Sequence, residues 1–367
     1  MTGPGTHHLV YWAEDVEGNE SLHASLDFIV DTSIERMTGA DRFAVGVQAA
    51  RAIFDPDGDK SWESARNDVV IACGEDKAAA DPLAAAGLCG AYEAPLFLVK
   101  SASTPSDVLV AISEIAAAHG TLKIHIVGGT RSVPDLRFNE IKAAIESKTG
   151  GKATATKDRL LSGGTRYDMA GAIAKRMKSI LGEPEWVLLA NGADPNTFFD
   201  ALALSPIAAS EGYPILLVKK DDIPFATIDA LDAIDLQVDV KLVVAGGPNT
   251  VSRDMVEILG SIVHTERWSG VNRYATAVAI ATKAKAKGWL TYKTVGIAAK
   301  QADALTGGVL VGLSGGPMLV TKGTDLSSEP ATFLTANRFA IEECVIFGGE
   351  KSVTPTVRAQ IDKKLKR

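Results

Sequence analysis

The chain is short of several things that would announce a function. Its 367 residues include three cysteines, Cys73, Cys89 and Cys344, too few and odd in number for a disulfide framework. Their apolar, small-residue settings predict buried thiols. The six histidines show no metal-ligand spacing and accompany no nucleophile motif, so neither a metal site nor a cofactor is predicted from them. The longest apolar candidate, GGVLVGLSGGPMLV at 307–320, is glycine-broken and shorter than the roughly 18 residues a bilayer span needs, so no membrane span is predicted. A cationic excess is missing as well. Lys and Arg number 38 against 45 Asp and Glu, a net charge of -7, which argues against general attraction to nucleic acid or an anionic membrane. The first residues, MTGPGTHHLVYWAEDVEGNE, lack the basic and apolar regions of a secretory signal. Two expectations follow: the protein stays where it is made, or an export signal lies outside this sequence.

What the chain does have is repetition. RMTGADRFA at 36–44 and RWSGVNRYATA at 267–277 are nearly the same phrase, and LLSGGTRYDMA at 160–170 is a looser third copy. Each copy is followed by the same succession. A β-rich run comes first (VVIAC at 69–73, WVLLA at 186–190, TVGIAA at 294–299). An aspartate then opens a small-residue segment at Asp81, Asp200 and Asp303, and a proline leads a second apolar run at Pro95, Pro214 and Pro317, 14 residues later each time. A third run ends in a double glycine, with Gly128, Gly246 and Gly348 lying 47, 46 and 45 residues after the aspartates. Recurrence of this kind marks three copies of one structural unit.

Within a unit, apolar runs of four to six residues alternate with helix-length segments, the pattern of strands in parallel pairing joined by helices. The fold class predicted is α/β: three tandem units, each a small doubly wound layer with a parallel sheet. The units run from 35 to 156, 157 to 264 and 265 to 367, after an N-terminal extension of residues 1–34. The stretch LHASLDFIVDTSIE supplies a strand leading into the first arginine, with TATKDRLLSG and SIVHTERWSG playing that part later. Asp81, Asp200 and Asp303 are expected as helix N-caps, which their side-chain oxygens suit. The double glycines are expected where a strand turns tightly into a helix. Their order, G-G-x-x-x-V, is not the G-x-G-x-x-G of a dinucleotide site, so no nucleotide cofactor is predicted.

The ordered set R-x-x-G-x-(D/N/T)-R-(Y/F), D-A-L, P-(I/L)-(L/F)-L and V-(V/F)-G-G resembles the cell wall binding repeat 2 family of clostridial S-layer and actinobacterial surface proteins. The resemblance covers roughly residues 35–367. It implies three Rossmann-like or flavodoxin-like repeats in a pseudo-threefold arrangement, and noncovalent attachment to anionic polymers of the Gram-positive wall, teichoic-acid-like or secondary wall polysaccharide. The second copy departs from the pattern: Leu160 stands where the first arginine belongs, with Arg159 one position earlier, and Thr165 replaces Asp41, as Asn272 does in the third.

Two sets of cations are candidates for holding such a polymer. Lys100, Lys219 and Lys322 lie five residues after their prolines, at the carboxyl end of the second strand of each unit, where ligands of parallel α/β sheets gather. A solvated lysine whose stem covers apolar surface explains the same position. Arg42, Arg166 and Arg273, with Gly39, Gly163 and Gly270 and with Phe43, Tyr167 and Tyr274, suit phosphate recognition, yet equally a turn pinned at a helix start. Gly128, Gly129 and their counterparts are secondary anion candidates at helix N-termini.

No unit carries a nucleophile beside a base or a pair of carboxylates that the others lack, so the chain is expected to bind and not to be an enzyme. A wall-associated hydrolase is one alternative. A phage virion component that uses the repeats as a host-wall adhesin is another, with residues 1–34, including Tyr11 and Trp12, docking a protein partner.

Overall fold

The computed structural model describes residues 5–234 and 240–366; residues 1–4 of the extension and residue 367 lie outside the described residues. The chain begins with an antiparallel hairpin, β1 (Gly5–Tyr11) and β2 (Ala24–Val30). It then runs through β3 (Ser33–Met37), α1 (Arg42–Phe54), β4 (Asp68–Cys73), α2 (Ala80–Tyr92), β5 (Leu96–Val99), α3 (Ser106–His119), β6 (Leu122–Val127) and α4 (Asp135–Thr149). The second pass is β7 (Ala155–Arg159), α5 (Arg166–Leu181), β8 (Trp186–Asn191), α6 (Phe198–Glu211), β9 (Ile215–Val218), α7 (Phe225–Ala233), β10 (Lys241–Ala245) and α8 (Arg253–Ile262). The third is β11 (Thr265–Trp268), α9 (Arg273–Ala286), β12 (Thr294–Ala298), α10 (Gly307–Leu313), β13 (Met318–Val320), α11 (Ser328–Asn337), β14 (Glu343–Phe347) and α12 (Pro355–Leu365).

Three four-stranded parallel sheets result, ordered β5-β4-β6-β7, β9-β8-β10-β11 and β13-β12-β14-β3. The predicted α/β class with parallel sheets is what the chain adopts. Parallel strands need long crossovers, which the helices supply while covering both faces. Along β4 and β5 the side chains therefore alternate between two buried layers: Val70, Ala72, Leu96 and Leu98 enter the central core, and Val69, Ile71, Phe97 and Val99 an outer one.

The fourth strand of each sheet is borrowed. β7 and β11 lead into the second and third arginine phrases but pair with β6 and β10 of the preceding pass. β3, which leads into the first phrase, pairs with β14 at the other end of the chain. The three passes thus close into a ring, and divisions at 35 and 157 run through β3 and β7.

The middle of the ring is apolar. Helices α2, α6 and α10 meet there, and their small residues permit it: a β-carbon at Gly90 would lie 2.0 Å from the carbonyl oxygen of Ala209, and one at Gly312 2.5 Å from that of Pro206. One hydrophobic cluster runs through all three passes. The three cysteines are buried free thiols, and burial pushes Cys73 up to about 11 and Cys344 up to about 12.

Candidate functional site

The repeated phrases meet the double glycines of the preceding pass at three junctions. Each glycine turn ends the strand beside the borrowed one, and Gly128, Gly246 and Gly348 have φ of 133°, 97° and 105°, backbone that residues with a β-carbon avoid. Across each junction one guanidinium stitches strand to turn: Arg159 Nη1 donates to Gly128 O at 2.6 Å, Arg267 Nη1 to Gly246 O at 2.7 Å and Arg36 Nη1 to Gly348 O at 2.7 Å. The one-residue offset of Arg159 in the sequence is therefore absorbed by the loop after it, and all three copies place an arginine here. The signal was present as a recurring arginine six or seven residues before the next.

Arg42, Arg166 and Arg273 are the first residues of α1, α5 and α9. Arg42 and Arg166 donate at 2.9 Å to Gly74 O and Gly192 O, at the ends of β4 and β8, and Arg42 also bonds Asp76. Arg166 lies 5.5 Å from the Phe198 ring centre and Arg273 4.6 Å from that of Phe199. The residues before them, Asp41, Thr165 and Asn272, are the N-caps, accepting from Phe43 N, Asp168 N and Ala275 N. Aspartate, threonine and asparagine are interchangeable in that role, which explains the variation between copies.

The expectation that Asp81, Asp200 and Asp303 cap helices is wrong. The N-caps of α2 and α6 are Ala79 and Thr197, and Asp303 lies in a short 3-10 turn at Gln301–Ala304 before α10. Small-residue segments admit a side chain pointing inward, and each carboxyl turns instead toward its own glycine turn. A β-carbon on Gly246 would sit 2.4 Å from Asp200 Oδ2, and one on Gly348 2.6 Å from Asp303 Oδ2, which has no hydrogen-bond partner among the described residues. Burial pushes Asp81 up to about 6, opposed by Arg166 of the next pass; it pushes Asp200 up to about 7, opposed by Arg273.

The three lysines leave the terminal strand of each sheet and are matched within their own pass. Lys100 Nζ lies 3.7 Å from Asp41, Lys219 Nζ lies 2.7 Å from Asp222, and Lys322 is felt by Glu329. They are spread over three sheets, while the pseudo-threefold axis itself is filled by the apolar α2, α6 and α10.

The junction between the first and second passes opens into a cleft of about 690 Å³, lined by Lys77, Asp81, Gly129, Arg131, Gly163 and Arg166 among others. Lys77 is 3.2 Å from Glu75, and Arg131 has no ion-pair partner among the described residues. Lys77 and Arg131 carry no threefold signature in the sequence, because they do not recur together: the positions of Lys77 are filled by Asn196 and Ala299, and those of Arg131 by Asn249 and Lys351.

The sequence matches the cell wall binding domain 2 (CWB2) family over residues 36–136, 161–256 and 267–358. The chain belongs to this family. Cell wall binding is accordingly its role, at the bacterial surface. Among curated proteins, the N-acetylmuramoyl-L-alanine amidase LytC of Bacillus subtilis is 26% identical over 333 residues, 91% of this chain and 59% of the amidase. The amidase enhancer of the same organism is 29% identical over 199 residues, 54% of this chain and 24% of the enhancer. In fold, the chain resembles Cwp6 from Clostridium difficile with a TM-score of 0.76 at 22% identity, over 98% of this chain and 51% of that one. Cwp8 from the same organism gives 0.71 at 20% identity, over 99% and 59%. The chain thus spans about half to three fifths of the longer proteins it matches along nearly all its length.

Proposed function

We propose that the chain holds an anionic wall polymer, teichoic-acid-like or a secondary wall polysaccharide, noncovalently at the junctions of its three repeats (35–156, 157–264 and 265–367), and that it does no chemistry on it. The cleft between the first two repeats is the principal site. The observation that supports this is its charge: three cations, Lys77, Arg131 and Arg166, line it against a single carboxyl, Asp81. A low-dielectric cleft of one sign concentrates field on an otherwise acidic protein. Arg42 and Arg273 hold the corresponding places at the other junctions and contribute more weakly, Arg42 being already bonded to Asp76. Lys100, Lys219 and Lys322 add charge at the rim, each partly offset by its neighbouring acid.

The amidase activity named for the Bacillus relative is not carried to this chain. The virion reading draws no support from the relatives, which are bacterial.

The test is co-sedimentation of the chain with purified teichoic acid and with fractionated wall polysaccharide. Lys77→Glu with Arg131→Glu should weaken binding at least about tenfold, and the loss should shrink as salt rises, because screened charges contribute less. Unchanged binding by the double variant, or binding indifferent to salt, would move the site elsewhere.

A further inference from the structure

Charge is divided unequally among the repeats. Residues 265–367 hold 15 Lys and Arg against 8 Asp and Glu, a net charge of +7, whereas residues 1–264 hold 23 against 37, or -14. None of that excess lines the cleft, which the first two repeats form. Helices α9, α11 and α12 pack side by side over the outer core of the third sheet. They run antiparallel to its strands, as crossover helices do, so their C-termini gather at the end where the strands begin. There α9 finishes with Lys283 and Lys285, and α12 with Lys363 and Lys364. These four have no ion-pair partner among the described residues. Lysines at helix ends also offset the helix dipole, but that need does not account for the set. In the second repeat α8, the counterpart of α12, ends with no basic residue, and α5, the counterpart of α9, with one.

We propose that this end of the third repeat is a second holding surface for an anionic wall polymer, separate from the cleft and acting through unpaired charge. It rests on the reading of the polymer as an anion and not on the cleft. Shape and charge select a polymer strand over a flat anionic surface. Neighbouring helices lie about 8–10 Å apart, so the lysines of α9 and α12, with α11 between them, form a strip about 20 Å long. The N-terminal extension joins β3 at the same end, where Thr32 Oγ1 donates to Ile341 O at 2.9 Å and Ser33 N to Glu342 O at 3.0 Å. Residues 1–34 carry six acids and no lysine or arginine. A plane of negative charge brought to this end meets those acids, whereas a strand passes beside them. Because the cleft belongs to the other two repeats, one polymer held at both places gains avidity that neither contact supplies alone.

The test is co-sedimentation of the full chain with purified teichoic acid, using charge reversals matched in position. Lys363→Glu with Lys364→Glu, and separately Lys283→Glu with Lys285→Glu, should each weaken binding about fivefold or more at low salt, the loss shrinking as salt rises. Lys148→Glu with Lys152→Glu, at the end of α4, the counterpart of α12 in the first repeat, changes net charge equally and should alter binding less than about twofold. The α12 pair added to Lys77→Glu with Arg131→Glu should remove binding that the cleft variant retains. Pairs on two helices keep the test open should one unfold the chain, which the melting temperature reports. Equal losses in the α12 and α4 pairs overturn the proposal, because overall charge then suffices. Unchanged binding in both third-repeat pairs overturns it too, and leaves the polymer to the cleft. A wild type that binds neither teichoic acid nor fractionated wall polysaccharide removes the anionic reading itself, and both sites with it. If the third-repeat pairs lose phosphatidylglycerol vesicles and keep teichoic acid, a lipid surface replaces the polymer and the proposal falls.

Discussion

The junction between the first and second repeats and the one between the second and third are built on the same backbone with opposite chemistry. Each has an acid directly before its stitching arginine, Asp158 before Arg159 and Glu266 before Arg267, and both carboxyls are held down at about 2 despite the opposing effect of burial. Around Asp158 the partners are polar: Arg176 at 2.6 Å, buried His125 at 3.0 Å and Lys123 at 3.3 Å, with Tyr92 stacked on His125 at 4.0 Å and accepting from Arg176 through its hydroxyl. Around Glu266 the position of His125 is taken by Val243, and Trp186, Trp268 and Tyr213 surround Trp289 at ring distances of 5.1 to 5.4 Å. Lys287 caps this aromatic cluster, 2.8 Å from Glu266 and 4.1 Å from the Trp186 ring centre. One frame thus tolerates an ion network or an aromatic core. At the closing junction the corresponding acid is Glu35, Ala52 stands where Arg176 does, and burial, with the charge of Glu35 adding to it, pushes Glu343 up.

The sharpest way to break the comparison is to remove its aromatic half. Trp289→Ala should cost about 3–5 kcal/mol, the range for truncating a packed tryptophan, and show as a lowered melting temperature. Asp158→Ala, which strands Arg176 and His125 at the ionic junction, should cost less, about 2–3 kcal/mol, because Arg176 keeps some access to water. Equal losses would mean that the two junctions differ in composition only.

The smallest effect is in pH. Asp81 and Asp200 have folded values raised to about 6 and 7, so the stability tied to their neutral forms is full below their unfolded value and is lost as pH rises through the folded ones. Asp158 and Glu266 act in the opposite sense: their contribution is present above the unfolded values and disappears as pH falls through about 2. Melting temperature should therefore rise on going from about pH 8 to about pH 5 and fall again in stronger acid. Asp200→Asn should flatten the first limb more than Asp81→Asn does; an unchanged limb in both would show that these carboxyls are ionised in the fold.

Much of the fold was legible because it repeats. The spacing of Asp81, Pro95 and Gly128 and of their counterparts located three strands and the helices between them in every pass. The capping roles were misread because an aspartate at the head of a helical segment looks like an N-cap from its neighbours alone, whereas Asp200 is directed by the room that Gly246 leaves beside it. The cleft cations Lys77 and Arg131 are unmarked in the sequence for a related reason: recurrence identifies what the three junctions share, and these two residues together distinguish one of them.

Local sequence settled the unit, since periodicity, strand composition and turn glycines act over a few residues and are written again in each copy. It also settled that Asp41, Thr165 and Asn272 could share one task, because capping asks only for a short oxygen-bearing side chain. Which sheet receives β3, β7 or β11, where the buried aspartates point, and that the first strand of the repeats closes against the last were decided by tertiary structure alone. Pairing between residues as distant as Arg36 and Ile346 depends on edges that exist only once the sheets have formed.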